Sequence, residues 1–353
     1  MKFAGFFILL MSSSVFAETW DWSNDPRKFD DNYEYRLNEL PLKADLPFNK
    51  MPWANSYWPR MKGSINYRWN TPRPTGFRLR SPNRTQVQAM TIAQLAELSP
   101  AEKFDLVQGH YNYPLSTRVA YNATPDAEDY EGICDGWTAT AIHFTEPAPV
   151  EIKNPDGIII PFGSSDVKAL MSYDVSINNE PGTLGAVFIG DYCGSGGSKC
   201  KDINPGAFHV VLANEIGLRS QSFAVDAEAG KETWNQPVHG FEFEIIQETS
   251  ARGAARAYVV HAKFKYAQDD LTGAENTPMR LFSWVPTNGT PEYATETMEL
   301  DYILEVDFAG KIIGGSWLGK SKKHHPDIFW KATKKIEWTP EFQVLNTIYK
   351  PAF

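Results

Sequence analysis

The sequence predicts an α+β fold, and three observations lead there. Capped helix starts come early in the chain, strand-like apolar runs fill most of the chain after residue 157, and neither a βαβ alternation nor an internal repeat is present. The 353 residues are 42% hydrophobic and 22% charged, with 24 Pro and 25 Gly, which is the composition of a globular chain rather than a collagenous or disordered one. The net charge of −9 argues against nucleic-acid or anionic-membrane partners, because polyanions repel such a surface.

Taken in order, the first 17 residues read as a secretory signal. Lys2 supplies the positive start, Phe3 to Met11 the apolar stretch, and Ser12 to Ala17 the small residues suited to cleavage, so the mature chain is expected to begin at Glu18. The apolar stretch is too short to span a bilayer, and the chain is expected to be secreted or periplasmic with no membrane span. Residues 18–85 are rich in Trp, Pro and Asn without sustained apolar periodicity. They read as a wrapping segment pinned by aromatics, or as a pro-segment.

Two helices then announce themselves by capping boxes, at Thr91 with Gln94 and at Ser99 with Glu102, the second with Pro100 at its first position. A helix is also expected after Ser164 and Ser165, where Asp166 gives an acidic first turn. Strands are expected at 157–160, 186–189, 208–212, 222–225, 241–246, 257–266, 302–308 and 311–313. Residues 18–353 are expected to form one catalytic domain, with room for a C-terminal β subdomain from about residue 250.

Three cysteines in an exported chain leave one over after a single bridge. Cys193 and Cys200 lie close together in a Gly- and Ser-rich loop and are expected to form a disulfide. A metal site at these two lacks His or Asp ligands at the usual spacing, and no metal or other cofactor is expected. Cys134 is then the free thiol. It follows a Gly-containing turn and opens a run of helix formers, Cys134-Asp135-Gly136-Trp137, so it falls at the positive end of a helix, where dipole and free N–H groups stabilise thiolate and a developing oxyanion. A thiolate needs a base and a group to orient that base. In papain-like sites a strand histidine downstream of the cysteine is the base, and an Asp or Asn on the next strand fixes its tautomer. Cys134, His209 and Asp226 occur in that order, with Asn235 in reserve as the orienting residue.

The segment Trp234-Asn235-Gln236-Pro237-Val238-His239-Gly240-Phe241 resembles the surface peptide of the oomycete transglutaminase elicitor family. His239 stands where that peptide has a basic residue. Tyr57-Trp58-Pro59, the run from Gly63 to Trp69, the run from Leu98 to Lys103 and the run from Cys134 to Ala141 are similar to that family too. The resemblance implies a calcium-independent protein-glutamine γ-glutamyltransferase with a core distantly similar to papain-like cysteine peptidases. Cys134 would be the nucleophile, His209 the base and acid, and Asp226 the orienting carboxylate.

The expected reaction passes through a Cys134 thioester and joins glutamine to a lysine or other primary amine of protein or peptide substrates. Amine must outcompete water in the second step, and Trp53, Trp58, Trp137 and Trp234 are the candidate water-excluding walls. A cysteine hydrolase with the same triad, acting as peptidase or glutamine deamidase, is the alternative. A non-catalytic secreted binding protein is the third reading.

Overall fold

A computed structural model describes residues 20–71, 76–77, 79–178, 184–191, 202–227, 232–269, 281–291 and 293–353. The expected signal (1–17) and the expected Cys193–Cys200 bridge lie outside the described residues.

Residues 20–71 carry six short 3-10 turns separated by irregular chain, and a three-residue strand β1 (Lys43–Asp45). Helices α1 (Arg84–Ala89), α2 (Ile92–Ala96), α3 (Pro100–Val107) and α4 (Pro114–Asn122) come next. Both expected capping boxes are formed, with the Thr91 and Ser99 hydroxyls accepting from the Gln94 and Glu102 N–H groups. A third box, between Asn83 and Gln86, opens α1. Helix α5 (Cys134–His143) packs on α6 (Ser164–Asn178), and a small hairpin of β2 (Val150–Lys153) and β3 (Ile159–Phe162) lies between them in sequence. The crossing is close because residue 136 is glycine: a Cβ there would sit 2.1 Å from the Ser172 carbonyl oxygen.

The second half supplies seven strands of what is, among the described residues, an eight-stranded antiparallel sheet. Its strands are β4 (Val187–Ile189), β5 (Ala224–Asp226), β6 (Asn235–Thr249), β7 (Arg256–Ala267), β8 (Thr295–Val306), β9 (Ile312–Trp317) and β10 (Ile328–Lys331), in the order β4-β10-β5-β6-β7-β8-β9, with β1 added to β6. Strands β7 to β9 therefore continue the sheet that carries Asn235. A short helix α8 (Leu345–Ile348) returns the chain to the helical side, where Leu345 and Ile348 are buried with α3 and α6 residues.

Side chains alternate across the sheet, so each strand feeds two cores. Ala224, Ile328 and Trp330 join the core built with α3, α4 and α6, whereas Val225, Phe329 and Ile189 join a second core on the opposite face. Helix α7 (Pro205–Leu212) covers that second face, and every one of its residues is buried. Residues 208–212 were expected to be a strand. They are helical because Asn204 caps the Gly206 N–H at 2.8 Å and Pro205 presets the first turn. An apolar run buried all round has no periodicity to distinguish helix from strand. A π-helical turn (Ala213–Leu218) comes directly after it.

Candidate active site

Cys134 is the first residue of α5, as expected, with Ile133 before it making no side-chain cap. The turn is held because the Ile133 N–H donates to the Tyr57 carbonyl at 2.8 Å, tying the aromatic wrap to the start of the helix. Cys134 belongs to a third, small core with Trp53, Ala54, Tyr57, Trp137, Ala141 and Ala267, against which Trp234 and Tyr293 pack. The sulfur meets two groups from the segment leading into β6. Its S–H donates to the Thr233 carbonyl at 3.6 Å, and the Asn235 side-chain amide donates to Sγ at 3.5 Å.

Burial pushes the Cys134 thiol up to about 12, and the negative charge of Asp135 adds to the rise. Hydrogen bonding from the Asn235 side chain and backbone pulls the other way, and Asp269 raises the value again. Asp135 is occupied on the α6 side, where Ser176 Oγ donates to it at 2.7 Å.

Asn235 is held from three directions. The Trp330 indole N–H donates to its Oδ1 at 2.7 Å, Thr138 Oγ1 on α5 donates to its carbonyl at 2.8 Å, and its Cα lies opposite Asp226 in the β5–β6 ladder. Asp226 is fully buried, and its Oδ1 accepts the Trp234 N–H at 2.8 Å, which fixes the backbone between Thr233 and Asn235.

His209 does not join this group. It lies on α7, on the face of the sheet opposite Cys134, stacked on Phe243 at 3.9 Å with Nδ1 2.8 Å from the Tyr302 hydroxyl. Its burial there pushes the imidazole down to about 3. The expected strand histidine is thus a neutral core residue, and among the described residues none of the seven histidines bonds to Cys134. His239 occupies the register shift between Val238 and Gly240 in β6, with Nε2 3.4 Å from Thr295 Oγ1.

The four candidate tryptophans divide. Trp53 and Trp137 are fully buried beside Cys134 and linked to each other, the Trp137 indole N–H donating to the Trp53 carbonyl at 3.1 Å. Trp234 is half-buried and meets the Tyr57 ring edge-on at 5.5 Å, so it is the tryptophan of the four at the surface of the site. Trp58 belongs to the helical core, 4.6 Å from Phe282, rather than to the small core around Cys134. Sequence reasoning missed Trp330 and Asp269. The first lies in the apolar run 328–330 and the second just past β7, and no spacing within the chain links either to Cys134.

Among the described residues no cluster of three or more His, Cys, Asp or Glu side chains is arranged to hold a metal ion. No helix of the described residues is long and apolar enough to cross a membrane. No curated protein matches the sequence. Over 94% of its length the fold is similar to the crystal structure of the GP42 transglutaminase from Phytophthora sojae, of which it covers 98%, with a TM-score of 0.67 and 22% sequence identity. The family model for the transglutaminase elicitor matches residues 125–344, a span that includes Cys134, Asp226, Asn235, Asp269 and Trp330, and the chain belongs to that family.

Proposed function

We propose that this protein is a secreted protein-glutamine γ-glutamyltransferase that works through a Cys134 thioester. The observation that carries the proposal is the pairing of Cys134, at the positive end of α5, with the Asn235 amide donating to its sulfur, in a chain of the transglutaminase elicitor family. A glutamine carboxamide entering the site displaces the Thr233 carbonyl from the thiol. The sulfur bonds to the carboxamide carbon, the C–N bond breaks, and ammonia leaves with the thiol proton. A primary amine of a second protein then attacks the thioester, forms the isopeptide bond and returns the thiol.

With His209 on the other face of the sheet, the proton acceptor proposed here is Asp269, a buried carboxylate just past β7 whose negative charge raises the Cys134 thiol. Asp226 keeps an orienting role, but what it orients is the Thr233–Asn235 backbone rather than a histidine. Trp234 and Tyr57 form the wall that favours amine over water. Export by removal of residues 1–17 belongs to the same proposal.

The test is incubation of the protein with a glutamine-bearing protein and a fluorescent primary amine, run in parallel with calcium and with a chelator. Label incorporation by wild type and none by Cys134→Ala is the expected result. Ammonia release without incorporation would favour the hydrolase reading, and equal labelling by Cys134→Ala would remove Cys134 from the chemistry.

A further inference from the structure

We infer that Trp330 is a positioning residue for the nucleophile: its indole N–H fixes the Asn235 side chain in the one orientation that turns an N–H, rather than a carbonyl oxygen, toward the Cys134 sulfur. The inference rests on the assignment of Cys134 as nucleophile. An asparagine amide presents an acceptor on one side and donors on the other, and a 180° rotation exchanges them with little change in shape. Which side meets the sulfur decides whether the residue stabilises or repels a thiolate.

The indole nitrogen can only donate. At 2.7 Å it therefore demands an oxygen, and Asn235 Oδ1 supplies it, which sends Nδ2 to the sulfur at 3.5 Å. Rotated the other way, the amide would set N–H against N–H at Trp330 and an oxygen against sulfur at Cys134. All three side chains are more than nine-tenths buried, so water is not at hand to rescue the wrong orientation.

The geometry is built from sheet register rather than from chain proximity. Trp330 on β10 lies opposite Ala224 on β5, Asp226 two residues on lies opposite Asn235 on β6, and the two-residue period puts all of these on the Cys134 face. Thr138, one turn into the same helix as Cys134, holds the Asn235 carbonyl and so prevents the backbone from turning the amide as a unit.

The test is a double-mutant cycle read by alkylation of Cys134. Wild type, Trp330→Phe, Asn235→Ala and the double variant are treated with iodoacetamide from pH 7 to 10, modification is followed on the Cys134 peptide by mass spectrometry, and a urea transition confirms folding. Trp330→Phe keeps an aromatic ring and deletes the donor. Each single variant is expected to alkylate about tenfold more slowly at a given pH, equivalent to about one pK unit of lost thiolate stabilisation. The double variant is expected to be no slower than Asn235→Ala alone. Trp330→His, which restores a ring N–H, should recover part of the rate.

A wild-type rate in Trp330→Phe, or equal slowing in the presence and absence of Asn235, would overturn the inference. Should Trp330→Phe fail to fold, Asn235→Asp decides. With one oxygen on Trp330 its other oxygen faces the sulfur, so it must alkylate more slowly than Asn235→Ala, and an equal or faster rate overturns the inference. The readout needs no glutamine donor. A protein that passes this cycle and transfers no label loses the transferase reading alone.

Discussion

Cys134 and His209 lie on opposite faces of one antiparallel sheet, the first against Asn235 and Trp234, the second stacked on Phe243 beneath α7. His209 is therefore expected to bear on stability rather than on chemistry. Its imidazole is pushed from 6.5 down to about 3 by burial, so the unfolded chain takes up a proton below pH 6.5 that the folded chain refuses. This contribution to stability is complete above pH 6.5 and is lost as the pH falls toward 3. In urea titrations across that window, the wild-type midpoint should fall more steeply than that of His209→Gln. The variant is also expected to keep the wild-type dependence of Cys134 alkylation on pH. Loss of alkylation with an unchanged urea midpoint would restore His209 to the site.

In the proposed mechanism Asp269 accepts the proton and Asp226 orients the strand entry. Asp269→Asn is therefore expected to lower label incorporation about a hundredfold or more, in the range of general-base loss. Asp226→Asn, which keeps an acceptor for the Trp234 N–H, should stay near wild type, whereas Asp226→Ala should fall about tenfold through misplacement of Asn235. The reverse ranking of the two Asn variants would exchange the two roles.

Trp234 leans edge-on against Tyr57 at the surface of the site. Trp234→Ala is expected to admit water to the thioester and to shift products severalfold from amine incorporation toward ammonia release without incorporation. Parallel fluorescence and ammonia assays measure the ratio. An unchanged ratio would mean that these rings do not control the acceptor.

Beneath the site, Lys168 is buried in an ion pair with Glu146 at 2.5 Å and also donates to the Ala54 carbonyl at 3.0 Å. Glu146 accepts the backbone N–H groups of Thr287 and Asn288 as well, at 2.8 and 2.7 Å. The pair thus ties α6 to the wrap that carries Trp53 and to the loop before β8. Lys168→Met leaves an uncompensated buried carboxylate and is expected to cost about 3–5 kcal/mol in urea denaturation. A cost below about 1 kcal/mol would contradict that account.

The range of each interaction decides how far it was legible in the sequence. Capping at Thr91 and Ser99 is local chemistry and could be read directly, as could the helix start at Cys134 after its glycine turn. The strand expected at 257–266 is formed as Arg256–Ala267. Residues 208–212 misled because a helix buried on every side reads like a buried strand, although Asn204-Pro205 carried the cap-and-proline signature of a helix start. Reading that signature would have removed His209 from the expected triad. Trp330 and Asn235 are 95 residues apart, and only the register of β10 on β5 and of β5 on β6 brings them together. Among the candidate water-excluding tryptophans, Trp53 is fully buried and Trp234 half-buried, because aromatic residue type does not reveal which ring is the outer one.

The central claim is that Cys134 carries the acyl group, and the most direct measurement of it is trapping. The wild-type protein is mixed with a glutamine peptide in the absence of any amine, quenched in acid and mapped by mass spectrometry. The account predicts an adduct on the Cys134 peptide with the mass of the glutamine peptide less ammonia, discharged on adding a primary amine and absent from Cys134→Ala. An adduct that forms equally in Cys134→Ala, or label transfer by wild type with no adduct at Cys134, would contradict it.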